Sequence, residues 1–227
     1  DAFPASCQYI TGDLTIDGGG SYADPVINLT ALSGIETVAG ALEIKNNPEL
    51  RAIDPLVALK VVYGLVDIRD NPKLIDLLGL QGLEQARAGF IIENNAKLTS
   101  LAGLENVNYI DSEAVLYLWQ NPTLTDLNHF DGLSGSSHDG KQLLAVSIYK
   151  NSTLRSLTGL EWIRGVSAML DIASNPDLRD VRALARSSSG ASWDDSVWRG
   201  FRVENNRSLT DCAGLANVLG WPEVDSR

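Results

Sequence analysis

The chain repeats one short phrase of apolar and polar positions. Two apolar residues flank a single residue, and an asparagine follows three positions after the second: Leu42 and Ile44 precede Asn47, Val66 and Ile68 precede Asn71, Phe90 and Ile92 precede Asn95, and Leu116 and Leu118 precede Asn121. The phrase returns as Val146 and Ile148 before Asn151, Leu170 and Ile172 before Asn175, and Phe201 and Val203 before Asn206. The alternation has the period of a strand whose every second side chain points inward. After each asparagine, apolar residues recur at every third position, as in Leu50, Ile53 and Leu56 or Leu98, Leu101 and Leu104. That spacing suits a chain that keeps turning corners rather than a long helix. Successive asparagines stand 24, 24, 26, 30, 24 and 31 residues apart, a repeat too short to bury its own inward face. Stacked coils share one continuous core. The pattern therefore predicts a mainly β, parallel β-helix-like solenoid of about eight coils with a 24-residue period, beginning with an imperfect coil at Leu14 and Ile16 where Gly19 takes the asparagine's place.

The asparagine column is expected to be scaffold. A side-chain amide at a tight bend can bond the backbone groups that the bend leaves unpaired, and in a stack it can bond the next asparagine. Proline follows at Pro48, Pro72, Pro122 and Pro176, where it fixes the turn and ends the strand. The organisation expected is one solenoid domain over residues 1–227, with an N-terminal cap at 1–13, repeats at 14–219, and inserted loops at 134–142 and 186–200.

The period, the segments "SLAGLENV" (100–107) and "SLTGLEWI" (156–163), and "GALEIKNNPEL" resemble the receptor L domain. This leucine-rich-repeat relative occurs in insulin- and epidermal-growth-factor-type receptors and in microbial surface proteins. The resemblance spans about Leu14 to Leu219. It implies a right-handed β-helix with short parallel sheets, used outside the cell for recognition and adhesion, and hence a secreted or cell-surface location. The family usually closes its ends with disulfide-bonded caps; here a single cysteine, Cys7 or Cys212, lies near each end.

Composition narrows the function. A formal charge of −11 with scattered Lys and Arg argues against nucleic acid, which needs clustered cations, and favours cationic partners. No run of eighteen apolar residues exists, so membrane insertion is not expected. Cys7 and Cys212 should be about 30 Å apart across the stack, against a Cα limit of roughly 7 Å for a disulfide. Cys212 falls in an inward column and reads as a buried small hydrophobe.

The outward strand positions carry the functional expectation. One column runs Thr15, Glu43, Asp67, Ile91, Tyr117, Ser147, Asp171, Arg202; the next runs Asp17, Lys45, Arg69, Glu93, Trp119, Tyr149, Ala173, Glu204. Both are charged at their ends and not in the middle. Ile91, Tyr117, Trp119 and Tyr149 should form one exposed patch, rimmed by Glu43, Lys45, Asp67, Arg69, Glu93, Asp171 and Arg202, with Ser147 a further candidate ligand-binding residue. Clustered Tyr and Trp serve recognition of protein or glycan, and a second copy of the chain is a further candidate partner. The same aromatics can instead stabilise the sheet by cross-strand stacking, or lie under a loop. The inserts "SGSSHDGKQ" and "RSSSGASWDDSVWRG" should emerge beside this face, and Trp193 and Trp198 in the second either bind ligand or plug the last coil.

Other chemistries find less support. His138 and Asp139 lack a placed nucleophile, and the columns show no convergence of a base with carboxylates or a metal, as a carbohydrate-active β-helix enzyme would need. An ice-binding threonine array would occupy Arg51, Ile75, Thr99, Thr125, Arg155, Arg179 and Thr210, where arginines interrupt it. Pairs such as Asp67 with Asp70, or Asp194 with Asp195, fall short of the six to eight oxygens of a calcium site. No catalysis, cofactor or metal is expected. Glycosylation sequons stand at Asn28, Asn151 and Asn206; the last two belong to the turn column and should be occupied by backbone bonds, which leaves Asn28 as the expected acceptor, given a eukaryotic secretory source.

Overall fold

The computed structural model describes residues 7–20, 22, 25–135, 142–163, 165–186 and 200–218. Each coil contributes one strand to a long parallel sheet. In chain order the twelve strands are β1 (Tyr9–Ile10), β2 (Leu14–Asp17), β3 (Thr37–Val38), β4 (Leu42–Lys45), β5 (Val61–Val62), β6 (Val66–Arg69), β7 (Gln85–Ala86), β8 (Gly89–Glu93), β9 (Val115–Trp119), β10 (Gln142–Tyr149), β11 (Gly165–Ala173) and β12 (Gly200–Glu204). The long sheet has eight strands in the order β12-β11-β10-β9-β8-β6-β4-β2, and a second parallel sheet is formed by β1-β3-β5-β7. The third side is made of short 3₁₀ turns such as Asp54–Ala58 and Leu78–Leu80. The architecture is thus the expected mainly β, parallel solenoid, with an asparagine spacing that averages about 26 residues rather than holding at 24.

The register follows from the repeat. Ile91 pairs with Tyr117, Tyr117 with Ser147, Ser147 with Asp171 and Asp171 with Arg202, while Glu93, Trp119, Tyr149, Ala173 and Glu204 form the adjacent row. Inward residues of all three sides meet in one apolar core running from Leu14 to Leu184. In the middle coils it widens to hold aromatics, with Phe90 edge-on to Phe130 at 5.6 Å and Trp162 at 6.4 Å beyond. Each fully buried side chain of this size contributes about 1.5–3 kcal/mol relative to exposure, so the stack outweighs what any single coil could supply.

The asparagines form a continuous buried ladder. Asn47 donates its backbone N–H and its amide to Asn71 Oδ1 at 3.3 and 3.0 Å, and its amide also reaches Ile16 O and Lys45 O. The backbone N–H of each following asparagine likewise reaches the next Oδ1, from Asn71 through Asn175 to Asn206. The bend itself lies one residue earlier. Asn46, Asp70, Asn94, Gln120, Lys150, Ser174 and Asn205 all adopt φ between 53° and 59°, the left-handed region that Asn and Asp tolerate best.

A second polar column escapes a reading that follows apolar residues alone. Five residues after the ladder asparagine stand Asp76, Ser100, Asp126, Ser156, Asp180 and Asp211, each accepting the backbone N–H two residues on. Asn28 does the same for Thr30 in the first coil, at 2.8 Å. These side chains start the third-side turns as Asx and Ser/Thr turns.

Both cysteines are free, and Cys212 is exposed rather than buried. Its column ends there among the described residues, so no further coil is described that would cover it.

Candidate functional site

The aromatic face of the long sheet is built on β8 to β12. Strand pleating puts residues 91 and 93, 117 and 119, 147 and 149, 171 and 173, and 202 and 204 outward, and the parallel register sets them side by side at about 4.8 Å per strand. At that spacing long side chains shade short ones. Ile91, Glu93, Tyr117, Trp119 and Tyr149 are half-buried, whereas Ser147 is 1% and Asp171 8% exposed. Asp171 therefore does not belong to an exposed rim, and Ser147 is not an accessible ligand-binding residue. Both lie beneath the face.

Tyr117 and Trp119 stack on one another, ring centroids 4.8 Å apart and planes 10° from parallel. The Trp119 indole donates to Ser147 Oγ at 2.7 Å, and the Ser147 hydroxyl donates to Asp171 Oδ2 at 3.2 Å. Arg202 clasps Asp171 with Nε at 2.8 Å and a terminal nitrogen at 2.6 Å, and reaches Glu204 at 3.3 Å. The hydrogen bond to Asp171 holds the Arg202 guanidinium protonated beyond its already high ordinary range. Tyr149 carries two cations over its ring, Lys150 at 4.9 Å and Arg202 at 5.3 Å. Burial raises the Tyr117 phenol above its usual value. One polar relay thus runs across four strands and fixes the ring that stands at its end.

On the other flank Asp67 is 2% exposed and pairs with Arg69. Burial pushes its carboxyl above the ordinary carboxylate range, with the Arg69 hydrogen bond opposing. Asp67 Oδ1 and Arg69 Nε have no partner among the described residues. Asp67 is therefore an interior carboxylate on the sheet face and not an accessible rim residue. Trp193 and Trp198, together with His138, Asp139, Asp194 and Asp195, lie outside the described residues.

A second aromatic cluster, which the apolar pattern does not single out, lies on the short-sheet side. Arg87 lies over the Tyr63 ring at 4.4 Å and the Tyr109 ring at 5.4 Å, residues that stand 24 and 22 positions apart on successive coils. Beside it a groove of about 340 Å³ is lined by Val57, Lys60, Gln81, Glu84, Asn106 and Asn108. Lys60 is already paired with Glu36 at 2.8 Å, and the Asn106 amide with Gln81 O at 2.7 Å. Among the described residues no cluster of His, Cys, Asp and Glu is placed to hold a metal ion.

Residues 6–109 match the family model of the receptor L domain. Over this stretch, somewhat less than half of the chain, the protein is similar to the receptor L domain family. Receptor L domains are non-catalytic modules that bind protein ligands, typically outside the cell. The match ends before β9, yet the asparagine ladder carries the same repeat onward through Asn121, Asn151 and Asn175 to Asn206. Tyr117, Trp119 and Tyr149 therefore stand on coils beyond the matched receptor L domain sequence, while Asp67, Arg69, Ile91 and Glu93 stand within it. None of the curated proteins and none of the solved structures matches the chain significantly. Among the described residues no helix is long and apolar enough to cross a membrane.

Proposed function

We propose that the protein is a secreted or cell-surface recognition module that binds a protein partner on the outward face of β8 to β10, without catalysis. The observation that carries the reading is the change of chemistry along the sheet. Thr15 and Glu43 in one column and Asp17, Lys45 and Arg69 in the other give way to Ile91, Tyr117, Trp119 and Tyr149, then to Arg202 and Glu204. An aromatic centre with a charged surround is the anatomy of a protein interface. The protein-binding habit of receptor L domains supports it. The relay from Arg202 to Trp119 supports it too, because a side chain already held in place loses little entropy when a partner docks.

Protein is favoured over glycan because Tyr117 and Trp119 cover one face of each other, and a sugar needs free ring face. The net charge of −11 favours a partner with basic residues around an apolar centre. Affinity capture from extracellular material, with wild type against Trp119→Ala, tests the reading. The variant should fold and lose binding by about 2 kcal/mol or more, some thirtyfold. A variant that melts far lower while binding undiminished would make the patch a structural one. If a second copy is the partner, the variant instead turns a dimer into a monomer in light scattering.

A further inference from the structure

The three sequons share the Asn-x-Ser/Thr motif, and the structure gives the three asparagines different surroundings. Asn151 is fully buried, and its amide donates to Leu118 O at 2.8 Å and to Asn175 Oδ1 at 3.4 Å. The hydroxyl of its sequon, on Thr153, is bonded to Pro122 O and Leu124 O at 2.8 and 3.0 Å. The Asn206 amide donates to Ile172 O at 2.8 Å, and its Oδ1 accepts the Asn175 backbone N–H at 2.9 Å. A sugar on either amide would have to occupy space already filled by the neighbouring coil.

Asn28 is exposed and differs in which atom it uses. Its Oδ1 accepts the Thr30 N–H at 2.8 Å and the Thr30 hydroxyl at 2.5 Å, while its Nδ2 makes no hydrogen bond among the described residues. The turn that starts the first coil's 3₁₀ segment therefore needs only the oxygen. A second observation points the same way. The most exposed large apolar side chains among the described residues are Tyr22 at 71% and Ile27 at 68%, both within six residues of Asn28. Apolar side chains left exposed close in sequence to this amide are surface that a glycan attached there would shield from water.

We propose that Asn28 is the N-glycosylation site of this protein in a eukaryotic secretory pathway, and that Asn151 and Asn206 carry no sugar in the folded chain. In the transfer, Asn28 Nδ2 attacks the anomeric carbon of a lipid-diphosphate-linked oligosaccharide. The N–C bond forms, the C–O bond to the diphosphate breaks, the lipid diphosphate leaves with the bonding electrons, and the amide proton passes to the transferase's base. The glycan would stand on the side of the 3₁₀ turns, four strand steps or about 19 Å along the axis from β9, and leave the aromatic face clear.

The test is secretion of the full chain from a eukaryotic cell, intact mass before and after peptide N-glycosidase F, and peptide mapping of the asparagine converted to aspartate. One glycan per chain at Asn28 is expected. Asn28→Asp keeps the oxygen of the turn and should remove the glycan with an unchanged melting curve; Thr30→Ala should remove it by destroying the sequon. Sugar on Asn151 or Asn206 in folded, secreted protein, or an unmodified Asn28, overturns the proposal. The result is independent of whether the aromatic face binds a partner.

Discussion

At the scale of single residues, one amide does the work of several backbone groups. Asn95 receives the Asn71 backbone N–H on its oxygen at 3.2 Å and donates to Ile68 O at 2.9 Å, all within a fully buried environment. Removing a buried partner leaves each group unpaired at about 1–3 kcal/mol. Asn95→Ala should therefore cost about 2–5 kcal/mol in urea denaturation, and Asn206→Ala distinctly less, because Asn206 is only half-buried. Equal costs would mean that burial of the ladder does not set its value. The ladder was legible in the sequence because the same letter returned at the same place. The relay under Trp119 was not, since Ser147 and Asp171 are unremarkable letters until the register sets them under an indole and a guanidinium.

At the scale of elements, each coil has three sides, and on the side of 3₁₀ turns neighbouring coils approach closely. Gly103 has φ of 112°, and a Cβ there would lie 2.0 Å from Leu77 O of the preceding coil. Two penalties add, a left-handed backbone and an overpacked contact, each about 1–3 kcal/mol. Gly103→Ala should lower stability by about 2–5 kcal/mol, measured by chemical denaturation, and a neutral result would show that neighbouring coils can part. The long strands could be placed from apolar alternation alone. The short strands β3, β5 and β7 could not, because two-residue segments such as Thr37–Val38 carry no period to read. The Asx and Ser/Thr column was readable, but only by aligning polar residues as well as apolar ones.

At the scale of the whole molecule, the solenoid is a one-dimensional stack, so stability depends on how many neighbours a coil has. β8 lies between β6 and β9, whereas β12 pairs with β11 alone among the described strands. The burial differs accordingly: Phe90 is 2% and Phe201 37% exposed in equivalent inward positions. Amide hydrogens of residues 201–204 should exchange at least about tenfold faster than those of residues 90–92, by hydrogen-exchange mass spectrometry or NMR. Uniform protection would mean that the solenoid opens as a single unit. The exposure of Cys212 has the same origin, since its inward column promises burial only where a further coil follows.

The sequence by itself determined the architecture: a repeat of apolar pairs, asparagines and corner residues admits one economical burial, and it fixed which residues share a row because parallel coils stack letter on letter. It also located the aromatic rows. What only the tertiary structure decided is which outward residues reach the surface. Neighbouring side chains stand about 4.8 Å apart on the sheet, so a short Asp or Ser between longer residues is covered whatever its polarity. That is why Asp67 and Asp171 lie beneath the face they were expected to rim, and why Ser147 is covered with them.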